Sequence, residues 1–266
     1  MIDQSIYSLQ GDLRLKLIEM YHSANAGHIA CSLSCIDLMI GALIHHKKEE
    51  DSFILSKGHA AASLYVCLNH TGEISNEELK TFYKNGTKLP AHPAANKFTG
   101  IPFALGSLGH GFPIAAGIAK ANQLKKNTAY SYVLMSDGET NEGTTWEAAH
   151  FAVMHKLDNL IVLIDKNGLQ GFGHTKDILG DTASEEKWQT LGFEVLSING
   201  HDLEQIINGI DKLKKSKNSK PKVIIGNTVK GKGVSFMENE MKWHYLPLDP
   251  GLYQQAVNDI RKQYRA

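Results

Sequence analysis

The chain has 266 residues, 42% of them hydrophobic, with 28 Lys+Arg against 28 Asp+Glu. It can bury a substantial core, and it has no charge excess that would draw it to nucleic acid or an anionic membrane surface. The opening MIDQSIYSLQGDLRL has acids early and no apolar stretch of signal-peptide length, and the apolar runs fall short of the ~18–20 residues that span a bilayer. The expectation is one cytoplasmic domain, residues 1–266, whose partner is a small molecule or another protein. Cys31, Cys35 and Cys67 are an odd set without clustered ligand partners and read as reduced, buried thiols.

In chain order, Leu9, Leu13, Leu17 and Met20 give Ile6–Met20 a helical period, and Ser34–Leu43 reads as a second helix capped by its serine. The stretch Lys84–Phe112, rich in Gly, Pro, Asn and His, reads as a functional loop. Four short runs of β-branched and aromatic residues follow: Tyr130–Met135, Leu160–Ile164, Phe193–Ile198 and Lys222–Ile225, with helical Thr144–Lys156 between the first two. The alternation predicts an α/β fold, a parallel sheet with helices on both faces. The basic run Lys212–Lys222 is expected to be a solvated helix end and loop.

The strongest chemical signal is Ser136-Asp137-Gly138, followed by Asn167 thirty residues after Asp137, each at the end of a predicted strand. A strand–helix–strand unit brings successive carboxyl ends side by side, so Asp137 and Asn167 should lie close together. A carboxylate, an amide oxygen and a backbone carbonyl from Leu169 make a hard-oxygen set for Mg²⁺, or Ca²⁺ or Mn²⁺ in its place, with positions left for phosphate and water. Gly138 permits close approach of a phosphate to the backbone. On these residues alone, turn-shaping is an equally good account of Asp137 and Asn167.

The surrounding blocks decide between the two. SDGETNEG at Ser136–Gly143 with its downstream Asn, SANAGHIACSLS at Ser23–Ser34, SKGHAAASLY at Ser56–Tyr65, GSLGHG at Gly106–Gly111, and KGKGVSFMEN at Lys230–Asn239 followed by Trp243-His244 are spread along the chain in the order of one known family. This set resembles the thiamine-diphosphate-binding N-terminal domain of transketolases. The resemblance implies that His59 and His244 contact the cofactor diphosphate, and that His28, His92 and His244 face the sugar as proton carriers. It places Gly106, Ser107, Leu108, Ser136, Gly138 and Asn167 against the cofactor, and Glu142 in a proton relay at the interface between subunits. Imidazoles suit this work because the oxygens of a ketose must exchange protons near neutral pH. The other histidines are read as ordinary surface or core residues, and Glu147 as a helix-terminus charge.

The family also needs a domain for the aminopyrimidine ring, and no second sheet fits after Trp243-His244. The resemblance therefore implies a split enzyme with a separate C-terminal, pyrimidine-binding subunit, in an assembly of two of each chain, acting on sugars or sugar phosphates. The expected activity is transfer of a two-carbon ketol unit from ketose to aldose. The alternatives are a 2-oxoacid-handling relative (deoxyxylulose-phosphate synthase-like or dehydrogenase-type) and a non-catalytic regulatory subunit. Ser136 for the first Gly of GDG, His110 for the usual Gln, and QGFG at Gln170–Gly173 depart from the family pattern and point to a specialised sugar.

Overall fold

The computed structural model describes residues 5–264. Helix α1 (Ser5–Ala24) leads to α2 (Ile29–Met39), which continues as a π-helical segment, Ile40–His46. Strand β1 (Ser52–Leu55), α3 (Ala61–His70), the short α4 (Asn76–Leu79) and a long loop precede α5 (Gly111–Leu124). Then come β2 (Ser131–Ser136), α6 (Gly143–Met154), β3 (Leu160–Lys166), α7 (Thr175–Leu179), α8 (Glu185–Leu191), β4 (Glu194–Asn199), α9 (Leu203–Lys215), β5 (Lys222–Asn227) and α10 (Pro250–Tyr264). The sheet is parallel in the order β1-β2-β3-β5-β4.

The central strands β2, β3 and β5 have the predicted parallel arrangement, with both of their faces covered. Tyr132, Leu134, Ile161, Leu163 and Ile224 join a core built with α1, α2, α3 and α9. Their neighbours Val133, Met135, Val162, Ile164, Val223 and Ile225 join a second core with α5, α6 and the buried Trp188 of α8. A strand buried on both sides needs no polar alternation and reads as a continuous apolar run.

Four expectations are corrected. The strand β1 lies outside the four predicted, because SFIL has only four residues and no periodicity to mark it. Ser34 does not cap a helix: α2 starts at Ile29, and the Ser34 hydroxyl is buried 2.6 Å from Asp165 Oδ2. Ile29–His46 is continuous, 18 residues of mean hydropathy 1.6, long and apolar enough to cross a bilayer. It is nonetheless 83% buried inside the protein, which makes it a core helix. In the basic stretch, Lys222 is buried rather than solvated, with Nζ donating to Asp158 O at 2.6 Å.

The helical layer is pinned by a buried ion pair. Arg14 forks onto Asp37, Nη1 to Oδ1 at 2.7 Å and Nη2 to Oδ2 at 2.6 Å, both residues fully buried. His201 Nδ1 lies 2.7 Å from Asp37 Oδ2, and its Nε2 accepts the Val229 N–H at 2.8 Å. The N–H at Val229 makes Nε2 an acceptor, so the proton sits on Nδ1. This chain of bonds runs from α1 and α2 to the loop after β5, and so to Lys230.

Candidate active site

The carboxyl ends of β1, β2, β3 and β5 open onto one edge of the sheet. The register pairs Ser136 with Asp165, Asp165 with Gly226 and Lys166 with Asn227. The residues just beyond, Ser56-Lys57 after β1, Asp137 after β2, Asn167 after β3 and Thr228 after β5, therefore gather without further design. A cleft of about 280 Å³ forms there, lined by His28, His59, His92, His244, Gly106, Leu108, Ser136, Asp137, Gly138, Asn167 and Leu169. These are residues the sequence singles out. Ser107 and Glu142 are exposed and outside that lining. Glu142 flanks the glycine loop, since a Cβ on Gly109 would stand 2.7 Å from its Cβ; with φ of 79° as well, position 109 suits only glycine.

The imidazoles form a cluster. Ring centroids lie 5.1 Å apart for His28 and His244, 5.7 Å for His28 and His59, 6.0 Å for His28 and His92, and 5.7 Å for His59 and His244. His28 is held with φ 75° at the start of α2, a strained conformation, its N–H donating to His244 O at 3.1 Å. Burial, then His92, Lys230 and Lys57, lower its pKa to about 4. Burial, then Lys230 and His28, lower that of His244 to about 3, and burial keeps His59 and His92 below the ordinary imidazole value. All four are neutral near pH 7, able both to accept and to donate.

The floor is a polar hub at Asp165. This fully buried carboxylate pairs with Lys57 and accepts from Thr228 Oγ1. Its Oδ2 also takes Asn167 Nδ2 at 3.1 Å. The amide's donor end is thereby committed, leaving Oδ1 as acceptor, here of Leu169 N–H at 3.1 Å. Asp137 Oδ2 accepts from Gly168 N at 2.7 Å and Thr175 Oγ1 at 3.1 Å. Burial, and then the Asp165 carboxylate, raise its pKa to about 6, an environment that a bound cation would relieve. Among the described residues no three His, Cys, Asp or Glu side chains group as a metal centre. One carboxylate with the neutral oxygens of Asn167 and Leu169 suits a hard cation that takes its remaining ligands from a diphosphate.

Further functional positions escape the sequence reading. Lys230 is 1% exposed; its Nζ donates to Leu169 O at 3.0 Å and to His244 Nδ1 at 2.8 Å, and among the described residues it forms no ion pair. An ammonium has only donors, so Nδ1 accepts and the neutral His244 ring carries its proton on Nε2. A buried cation without a carboxylate is what an anionic ligand completes. Glu139 is buried and accepts from Ser56 Oγ, from Gly109 N at 2.8 Å and from Ser136 N at 3.3 Å, tying the glycine loop to the metal loop. Burial raises its pKa to about 7. Tyr245, beside His244 with centroids 4.7 Å apart, and Phe172 complete the cleft wall. Lys230 and Glu139 lie inside recognised blocks, and Phe172 inside the divergent QGFG stretch; their burial or their place on the cleft was the missing signal, while Tyr245 stands just beyond the Trp243-His244 pair.

Residues 9–265 match the family model for the transketolase thiamine diphosphate binding domain. The chain belongs to the transketolase family. It is 38% identical over 243 residues to one of the subunits of apulose-4-phosphate transketolase from Actinobacillus succinogenes, covering 88% of this chain and 87% of that one. It is 35% identical to the 6-deoxy-6-sulfo-D-fructose transketolase subunit of a Clostridium species, with 94% of each covered. Transketolase from Campylobacter jejuni superposes with a TM-score of 0.89 at 33% identity, over 99% of this chain but 43% of that one. This transketolase chain thus has the extent of relatives that are named as separate subunits, and spans less than half of the Campylobacter chain. The thiamine-diphosphate-binding α/β fold and the transketolase-type transferase class follow from these matches.

Proposed function

We propose that this chain is the diphosphate- and metal-binding half of a split transketolase, active with a separate C-terminal, pyrimidine-binding subunit in a two-plus-two heterotetramer in the cytoplasm. The observation that carries the reading is the cleft itself: four neutral imidazoles, an unpaired buried ammonium and an Asp–Asn–carbonyl oxygen set meet at one sheet edge. The names of the relatives, which are those of subunits, support a partner chain. The buried free cysteines support a reducing compartment.

Asp137, Asn167 and Leu169 O would hold Mg²⁺. Gly138, His59, Lys230 and His244 would hold the diphosphate, and Leu108 would pack on the cofactor. Thiamine diphosphate supplies the electron sink for breaking a carbon–carbon bond. The residues of this chain orient and move protons. His244 offers Nε2–H to an accepting oxygen of the ketose, while its Nδ1 is fixed by Lys230. His28 and His92 exchange protons with sugar hydroxyls, helped by a pKa below the working pH that leaves a lone pair free. The exposure of Glu142 beside the glycine loop supports its role as a contact with the partner chain. The relatives named for apulose 4-phosphate and 6-deoxy-6-sulfofructose support a specialised sugar as donor.

Calorimetry with thiamine diphosphate and MgCl₂ tests the assignment. The chain alone should bind weakly and the chain with its partner tightly; equal affinity in the two would remove the shared-site reading.

A further inference from the structure

Gln170 follows the Leu169 carbonyl and begins a tight turn, its N–H donating to Gly173 O at 2.8 Å. The side chain folds back onto Gly138: a Cβ there would meet Gln170 Cγ at 3.0 Å, Cδ at 3.1 Å and Nε2 at 3.4 Å. Gly138 thus makes room for an amide as well as for an approaching phosphate. Gln170 lines the same cleft as Asp137, Asn167 and Lys230, yet its Nε2 is buried and, among the described residues, has no hydrogen-bond partner. A buried donor left unpaired destabilises the protein that carries it, and native structures contain few of them.

We propose that Gln170 is a cofactor-binding residue whose amide N–H donates to an oxygen of the bound diphosphate. The proposal rests on the diphosphate reading of the cleft. The acceptor is assigned to the diphosphate because the amide lies against Gly138, the residue that follows Asp137. The amide already lies against Gly138 on the wall of the cleft, and an anionic acceptor there makes the bond charge-assisted. The arrangement also gives QGFG a function: the turn from Gln170 to Gly173 fixes the backbone from which the amide reaches back.

The test uses the full chain, MgCl₂ and inorganic pyrophosphate as probe, with thermal unfolding and calorimetry on the wild type, Gln170→Leu and Gln170→Met. Both variants remove the unpaired donor while keeping apolar bulk over Gly138. Without pyrophosphate their melting temperatures should equal or exceed that of the wild type, whereas Kd for magnesium pyrophosphate should weaken about tenfold or more, as loss of a bond to a charged acceptor implies. Unchanged Kd in both variants would overturn the inference while leaving the diphosphate site standing. So would a drop in melting temperature without ligand that accounts for the weaker binding, since that is a structural role. Failure of the wild type to bind magnesium pyrophosphate would instead remove the diphosphate reading, and the inference with it.

Discussion

Replacing Lys230 with methionine keeps most of the side chain's length and removes a charge that, among the described residues, has no counter-ion. The ammonium lies 2.8 Å from His244 Nδ1. Two unit charges about 4 Å apart interact by about 4 kcal/mol at an effective dielectric near 20, and one pH unit corresponds to about 1.36 kcal/mol, so full coupling would be worth about three pH units. His244 is only half-buried and burial is the larger cause of its depression to about 3, so solvent screening reduces the part due to Lys230. Lys230→Met should raise the His244 pKa by about one to two pH units and that of His28 by less, because burial and then His92 outweigh Lys230 there. Histidine side-chain NMR titration of the isolated chain reads both. The same variant should weaken magnesium pyrophosphate binding about tenfold or more, because a charge-assisted contact is lost. A His244 titration unchanged by the substitution would refute the assignment of Lys230 as the cleft's free cation.

Asp137→Ala should abolish Mg²⁺-dependent retention of thiamine diphosphate in the reconstituted pair without unfolding the chain, read by calorimetry and circular dichroism; unchanged affinity would refute the metal assignment. With partner and donor present, His28→Ala should lower kcat by about 10²–10⁴ and leave cofactor affinity nearly unchanged, while His244→Ala should impair both. Near-wild-type turnover for His28→Ala at saturation would leave His28 a structural residue. Its depressed pKa also gives a stability test. The unfolded imidazole takes its proton near 6.5 and the folded one near 4, so between these values the unfolded state binds more protons. Stability is complete above pH 6.5 and is lost as pH falls toward 4; urea midpoints at pH 7.5 and 5 should differ less in His28→Gln than in the wild type. Arg14→Met strands the buried Asp37 carboxylate and should cost about 3–5 kcal/mol in urea unfolding.

The central strands were legible because doubly buried parallel strands write themselves as apolar runs, as LIVLI at Leu160–Ile164 does, and half-exposed β4 because its run is rich in β-branched and aromatic residues. Edge strand β1 was not, since four residues without periodicity look like any apolar fragment. Ser34 misled because a serine ahead of an apolar run has the composition of a cap. Here it is an interior hydrogen-bond partner of Asp165, a pairing that joins residues 131 positions apart. The same sequence distance hid the floor of the site. Lys57 and Asp165 are separated by 108 residues and meet only because β1 and β3 flank β2. The histidines were legible through their motif blocks, but their depressed pKa values were not, since burial and two buried lysines cause them. Gln170 could not be found from spacing, because its distinguishing property is a missing partner, which exists only in three dimensions.

The central claim is that this transketolase chain holds half of an active site. The direct measurement mixes the purified chain with its separately purified C-terminal partner, thiamine diphosphate, MgCl₂, a ketose phosphate donor and an aldose acceptor, and follows the two-carbon-extended product by mass spectrometry. Turnover that appears only in the mixture, and saturates at one partner chain per chain, is the predicted result; full turnover by this chain alone would contradict it.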